Sequence, residues 1–430
     1  MKLVVFAHVP PPHHGQSYMV KLMLEGFGGD QRGESKTAHL EHGIACYHVN
    51  ARLSTHLADI GDVRFGKLGW LVWYSLKAIW CRFRHGARNL YYVPAPGKGS
   101  ALIRDWLVMT LCRPFFKRII LHWHAAGMAK WLETSQSPLF RRLTFRSLGQ
   151  PDLCIVLSKF NRLDAEKLWS RRICVVGNGI PDPCPNFDTT VLPRRRARLA
   201  IRQELAAGQT PTAEEGRLAG LDPNCFHVLF LAHCTREKGL FDTLDGVALA
   251  VKRLAEMRCP ISIKVAIAGE FISTEERAEF NERIARADLK FADGSSRVTY
   301  LGFVRGDAKA KAFLDADCFC FPTYYYAESF GLVLVEAMSF GLPIIASRWR
   351  AVPELFPTDY PGLVNPRRPE EIADKLMWVI RERSGELKRQ LFVNNHRLDI
   401  HIQRLGEAIR SVEPAPDANS AYPLARPARA

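Results

Sequence analysis

In the first half of the chain, short apolar runs alternate with longer segments whose apolar residues recur at helical spacing. Leu3–Ala7, Leu90–Val93, Arg118–His122, Leu153–Leu157 and Ile173–Val176 are strand-length runs with too little alternation for a sheet wetted on one face, so they read as buried strands. Helical patterns lie between them, around Ser17–Phe27 and Ser100–Cys112. From Pro181 to about Pro223 proline, arginine and polar residues crowd together, and this stretch reads as a linker with a surface insertion. The rhythm resumes with Val228–Ala232, Ile263–Ala268, Val298–Leu301, Cys318–Pro322 and Pro343–Ala346. Strands alternating with helices predict βαβ units and parallel sheets, hence an α/β protein. Two doubly wound, Rossmann-like domains would face a cleft at the C-terminal ends of their strands. The expected boundaries are an N-terminal domain over 1–184, the linker and insertion over 185–222, a C-terminal domain over 223–385, a closing helix over 386–412, and a disordered tail over 413–430.

Composition changes this picture in one respect. Apolar and charged fractions of 47% and 24% are ordinary for a globular protein, whereas a formal net charge of +15 favours a polyanionic partner: a membrane surface or phosphorylated ligands. No nucleic-acid-binding motif accompanies that charge, which argues against nucleic acid. The eleven cysteines form no CxxC pair, as expected of a reducing cytosol, and Cys318 and Cys320 alternate along a candidate strand as core residues. The N-terminal apolar run is shorter than the h-region of a secretory signal, and no run approaches the roughly 18 apolar residues of a membrane span. The expected location is the cytosol, with attachment to the cytoplasmic face of the inner membrane as an extension of the charge argument.

The chemistry concentrates in CFCFPTYYYAESFGLVLVEAMSFGLPIIAS, Cys318–Ser347. A strand ending at Pro322 runs into a loop, and the spacing predicts a helix from about Glu328 or Ser329. Glu328 and Glu336 then stand on that helix about 80° apart, at two depths of a cleft. Carboxylates so placed accept hydrogen bonds from two sets of ligand hydroxyls; a helix cap and an exposed glutamate are the plainer alternative. Gly331 in the first turn weakens the helix, a cost explained by close approach of a ligand to the backbone.

The stretch Glu-x7-Glu followed by AMSFGLPIIAS and by Pro353–Leu355 resembles the nucleotide-sugar motif of the retaining glycosyltransferases of family 4, which have the two-domain GT-B fold. Val175–Asp182 (VVGNGIPD), Phe230–Leu240 (FLAHCTREKGL) and Ala266–Phe271 (AIAGEF) are similar to further motifs of that family, in the same order. The resemblance covers about Asp152–Pro366 and is weaker before it. It implies transfer of a sugar from a nucleoside-diphosphate sugar to an acceptor hydroxyl, a saccharide or lipid-linked acceptor in bacterial polysaccharide or glycolipid synthesis, and no cofactor or metal. Glu336 then matches the residue that binds the ribose, Glu328 the one on the donor sugar, and Lys238 the lysine that neutralises the departing diphosphate. Backbone amides of Ser329, Phe330, Gly331 and Leu332 would hold the sugar and phosphate. The family's arginine five residues before the lysine is His233 here, and either His233 or Arg236 takes its place.

In the N-terminal domain, the family's glycine-rich loop corresponds to His8–Val20, where Gly15 with the adjacent Gln16 is the glycine that remains. His124 in HWHAAG matches the histidine near the transferred sugar, and His122 reads as structural. The one Asp-x-Asp, Asp315–Asp317, precedes a strand and so lies about 15 Å from the cleft, away from any metal role there. Arg64–Arg88 sets Leu68, Leu71, Val72, Leu76, Ile79, Trp80 and Phe83 on one stripe with Lys67, Lys77, Arg82, Arg84 and Arg88 mostly off it. That pattern fits a helix lying on anionic lipid, and equally a core helix with a basic outer face. A nicotinamide oxidoreductase is excluded by the lack of GxGxxG after any strand. A non-catalytic or divergent nucleotide-sugar-binding protein of the same fold remains the rival, since Ala232 and His233 replace the family's usual glycine and arginine.

Overall fold

The computed structural model describes residues 1–413 apart from 12–14, 33–39, 41, 53–64, 96, 98, 211, 213–215, 217–218, 221–223 and 382–385. Of the tail expected to be disordered over 413–430, all but Glu413 lies outside the described residues, as does part of the expected insertion.

The strands are β1 (Lys2–Phe6), β2 (Ala45–Val49), β3 (Asn89–Tyr92), β4 (Arg118–His122), β5 (Leu153–Val156), β6 (Ile173–Val175), β7 (Cys225–Leu231), β8 (Ser262–Ala268), β9 (Val298–Gly302), β10 (Cys318–Phe321), β11 (Ile344–Ser347) and β12 (Leu363–Val364). They form two six-stranded sheets, in the orders β2-β1-β3-β4-β5-β6 and β12-β11-β10-β7-β8-β9. Every pairing within them is parallel. Helices cover both faces, and each domain therefore has a core on either side of its sheet. This explains why the strands read as continuous apolar runs. The strand order reverses direction between β1 and β3 in the first sheet and between β7 and β10 in the second. Crevices open at such reversals, outside the C-terminal ends of the strands.

Three features differ from the reading of the sequence. Strand β2, ACYHV, is interrupted by His48, which is buried because its Nε2 meets the carbonyl of Ala7 at 2.8 Å. The segment expected as a surface insertion instead contributes a helix, Leu192–Ala206, packed on the C-terminal domain. Phe187 and Val191 join the core of Phe313, Phe319 and Leu334, and Arg198 and Arg202 turn inward to Asp317 at 2.6 and 2.5 Å. Burial acts to raise the Asp317 carboxyl, but the guanidinium groups of Arg202 and Arg198 outweigh it and hold it below the usual range.

The expected single closing helix is two. Glu386–Asn395 packs on the C-terminal domain, where Arg389 pairs with Asp182 at 2.5 Å. The chain then turns at His396, and Leu398–Arg410 packs on the N-terminal domain through Ile402, Leu405 and Ile409. The crossing is tied to the linker: the Ile180 amide donates to the His396 carbonyl at 2.9 Å, and the Leu398 amide returns to Ile180 at 2.8 Å. Gly179 has to be glycine there, because a Cβ would lie 2.6 Å from the Arg397 carbonyl oxygen.

Asp317→Asn is expected to cost about 3–5 kcal/mol in urea unfolding, since it strands two buried guanidinium groups. Asp315→Asn, whose ion pairs with Arg194 and Lys311 are more exposed, should cost below about 1 kcal/mol. Equally small losses at both positions would show that the arginines reach water in solution.

Candidate active site

Two loops leave the reversal between β7 and β10, and close packing forces them together. The loop after β7 ends at Gly239, whose left-handed backbone (φ 85°) lies against the end of β10; a Cβ would stand 2.5 Å from the Pro322 carbonyl oxygen. The Tyr324 amide donates to the Glu237 carbonyl at 2.7 Å, which fixes the register of the two loops. Lys238 and Glu328 thereby meet: Nζ donates to Oε2 at 2.8 Å, with side chains 17% and 9% exposed. The ammonium also sits 4.5 Å from the centre of the Tyr325 ring, an aromatic face that favours a cation.

The helix predicted to begin at Glu328 or Ser329 begins at Leu332 instead. Gly331 is its N-cap in the left-handed region (φ 80°), a conformation that β-carbon-bearing residues rarely adopt and that stops the helix there. Glu328 is therefore a loop residue and Glu336 a helix residue, so the 80° helical relationship does not apply, and Glu328 is no helix cap. The amides of Ser329, Phe330, Gly331 and Leu332 make no hydrogen bond among the described residues. These donors at a helix N-terminus form a place suited to an anion. Glu336 stands one turn further on, its carboxylate 2.5 Å from Nζ of Lys309 on the helix Gly306–Asp315. Its charge acts, after burial, to raise the Tyr18 hydroxyl of the facing N-terminal domain.

That domain contributes from the ends of β1 and β4. Gly15 and Gln16 open the helix Gly15–Gly26, whose Tyr18 packs against the C-terminal core; Pro12–His14 lie outside the described residues. His124 is brought to the same place as Glu328, and its carbonyl accepts from the Ser329 hydroxyl at 2.6 Å. Its ring is 4.2 Å from that of His122, which burial first, and then the charges of His124 and His401, hold well below the usual histidine range. His122, hydrogen-bonded to Tyr91, is structural as expected.

Not every sequence candidate turns inward. Arg236 pairs with Glu279 on the helix Thr274–Ile284, and its guanidinium lies over Phe241. His233 remains near the lysine on the loop after β7, with its side chain reaching solvent; partial desolvation first, then the charge of Lys238, lower its pKa, with Glu270 opposing. The Phe330 ring is buried between Gly177 and His396, leaving its backbone as the part that can meet a ligand.

Sequence reasoning missed the groups that join the domains. Asn161 Nδ2 donates to the Ser329 carbonyl at 3.1 Å, and Glu354 accepts from the Lys159 and Phe160 amides at 2.7 Å each. Arg350 in a left-handed turn (φ 48°) crosses towards Gly127, where the charges of Asp164 and Glu328 act on it. Glu354 lay within the quoted Pro353–Leu355 motif, but nothing local signalled an interdomain role.

Known proteins share part of this sequence and its architecture. Residues 219–398 match the family described as Glycosyl transferases group 1. A D-inositol 3-phosphate glycosyltransferase of Pseudarthrobacter chlorophenolicus is 36% identical over 129 residues, 30% of this chain and 28% of that protein. Sulfoquinovosyl transferase SQD2 of Arabidopsis thaliana is 35% identical over 102 residues, 23% of this chain and 20% of that one. The matched segments thus span less than half the length of these relatives. Among solved structures, Anabaena Alr3699/HepE in complex with UDP superposes with a TM-score of 0.62 at 17% identity, covering 96% of this chain and all of that one. Sucrose-phosphate synthase from Thermosynechococcus elongatus gives 0.63 at 16%, covering 96% and 99%. The chain therefore has the GT-B fold, and over residues 219–398 it resembles the glycosyl transferases of group 1.

Proposed function

We propose that the protein is a retaining glycosyltransferase that moves a sugar from a nucleoside-diphosphate donor to an acceptor hydroxyl, in polysaccharide or glycolipid synthesis. The observation that carries the reading is the Lys238–Glu328 pair set under four unengaged amides at the β7/β10 reversal. A diphosphate there would meet Lys238 and the amides of 329–332, and the sugar would meet Glu328. Glu336 would accept from the ribose hydroxyls, with Lys309 fixing its carboxylate. The HepE and trehalose-6-phosphate structures, solved with UDP-sugars or their analogues, lend weight to a nucleotide-sugar donor.

In the reaction the bond from the anomeric carbon to the phosphate oxygen breaks as the acceptor oxygen bonds to that carbon from the same face. The acceptor proton passes to the departing phosphate oxygen. Lys238 and the helix N-terminal amides stabilise the charge that grows on the leaving diphosphate, the term that usually dominates such catalysis. His124, at the end of β4, faces the transferred sugar. No metal enters this scheme; Asp317 is committed to Arg198 and Arg202.

The two glutamates should fail differently. Glu328→Gln should leave nucleoside-diphosphate affinity unchanged or raised, because Lys238 loses a competing carboxylate, while turnover falls roughly ten- to a thousandfold. Glu336→Ala should lose about 1–3 kcal/mol of nucleoside-diphosphate affinity in calorimetry. Normal turnover in folded Glu328→Gln would remove that residue from the donor sugar. Wild type that binds the nucleotide sugar yet neither transfers nor hydrolyses it would favour the non-catalytic reading.

His233 gives a pH signature. Its pKa is lowered in the free protein, and a bound diphosphate would raise it, so binding takes up a proton. Affinity for the nucleoside diphosphate should then tighten as pH falls from about 8 to about 6, and His233→Ala should flatten the dependence. A profile identical in the variant would exclude His233 from the phosphates.

A further inference from the structure

The helix Phe65–His85 is mounted inside out. Its packed side is narrow and made largely of small residues, Leu71, Ser75, Ala78 and Cys81, each buried. Its outer side carries Trp73, Leu76, Trp80 and Phe83, each 54–64% exposed, with Trp70 beside them at 60%. At 3.6 residues per turn these four outer residues fall within about 80° of one another, on the side opposite the buried stripe. The stripe assigned from the sequence thus splits, with Leu71 facing the core and Leu68, Val72, Leu76, Trp80 and Phe83 facing out. A monomeric soluble protein has no use for so large a contiguous apolar face. Phe115, itself exposed, extends it by edge contact with Phe83.

The charge around the helix indicates what covers this face. No Asp or Glu occurs between Asp62 and Asp105, whereas Lys77, Arg82, Arg84 and Arg88 do. At the C-terminal end of the helix opens a recess of about 410 Å³, lined by Lys2, Gly86, Arg88, Asn89, Lys117, Arg118 and Glu413. Asp152 occupies Arg118 at 3.0 Å, and Lys2 donates to the His85 carbonyl at 2.9 Å. Arg88 and Lys117 form no ion pair among the described residues, and Glu413 is the single acidic residue of the lining. A second copy of the chain docked through this face would set like charges against each other along its border. An apolar stripe rich in tryptophan, bordered by cations, is complementary to one common surface: a bilayer containing anionic lipid.

We propose that the helix Phe65–His85 lies in the surface of an anionic membrane, with Trp73, Leu76, Trp80 and Phe83 among the acyl chains and the Arg88–Lys117 recess on a lipid phosphate. This assignment does not rest on the transfer reaction. The helix runs antiparallel to the strands, so its start is on the cleft side of the domain and the recess lies at the opposite end. A membrane along it would run past the cleft rim, where a lipid-linked acceptor could enter.

The test uses the full chain with vesicles of phosphatidylcholine alone, or containing phosphatidylglycerol, with and without brominated acyl chains. Wild type should pellet with the phosphatidylglycerol vesicles and not with phosphatidylcholine, and brominated chains should quench its tryptophan emission. Trp70→Ser with Trp73→Ser and Trp80→Ser should keep the wild-type circular dichroism and melting, since all three side chains are exposed, and lose the quenching. Arg88→Gln with Lys117→Gln should weaken binding to anionic vesicles on the order of tenfold. Failure of wild type to bind anionic vesicles at low salt would overturn the proposal. So would binding without quenching, or a concentration-dependent dimer that Trp73→Ser dissociates.

Discussion

Parallel pairing is the constraint on which the molecule depends. A parallel strand returns through a helix, so all its loops of one kind emerge at a single edge of the sheet. With six such strands in each domain, the C-terminal edges gather all the loops that follow the strands. The site is built there from loops far apart in sequence: after β1 and β4 in one domain, after β7 and β10 in the other. Ser329 of the C-terminal domain then ties the halves, its hydroxyl donating to the His124 carbonyl and its carbonyl accepting from Asn161, both of the N-terminal domain. Its side chain joins the domains while the amides beside it stay turned to the cleft.

Within that frame the Lys238–Glu328 pair resolves the problem of a carboxylate nearly sealed from water. Its cost of burial is offset by an ammonium held over an aromatic ring and by the Thr323 hydroxyl at 3.5 Å, both on Oε2, and both groups of the pair retain capacity for other partners. Such a pair is poised rather than saturated. Asp317 shows the contrast: two arginines and the His227 amide engage its oxygens, and the carboxylate is buried away from any cleft. The difference in satisfaction separates a site from a structural lock.

Much of this was legible in the chain. Ten of the strands announced themselves because both faces of each sheet are buried, and burial on both sides writes an uninterrupted apolar run. The pairing of Glu328 and Glu336 in one motif, and Lys238 in another, was readable from order and spacing. What was not readable shares one cause: partners remote in sequence. His48 hides β2 because its acceptor is the Ala7 carbonyl, 41 positions away. The RRRARLAIRQEL segment reads as solvated until Asp317, more than 100 residues on, brings Arg198 and Arg202 inside. The helix start moved to Leu332 because Gly331 adopts a left-handed backbone, which composition permits but does not demand. The outer face of Phe65–His85 was visible as apolar, but which stripe meets the core depends on the small residues opposite it.

The central claim is that the donor's diphosphate sits at the β7/β10 reversal. The most direct measurement is a crystal structure of the full chain with a nucleoside-diphosphate sugar bound. The account predicts phosphate oxygens within hydrogen-bonding reach of Lys238 Nζ and of amides in Ser329–Leu332, the sugar on Glu328 and the ribose on Glu336. A diphosphate bound elsewhere, with Lys238 and Glu328 still paired to each other alone, would contradict it.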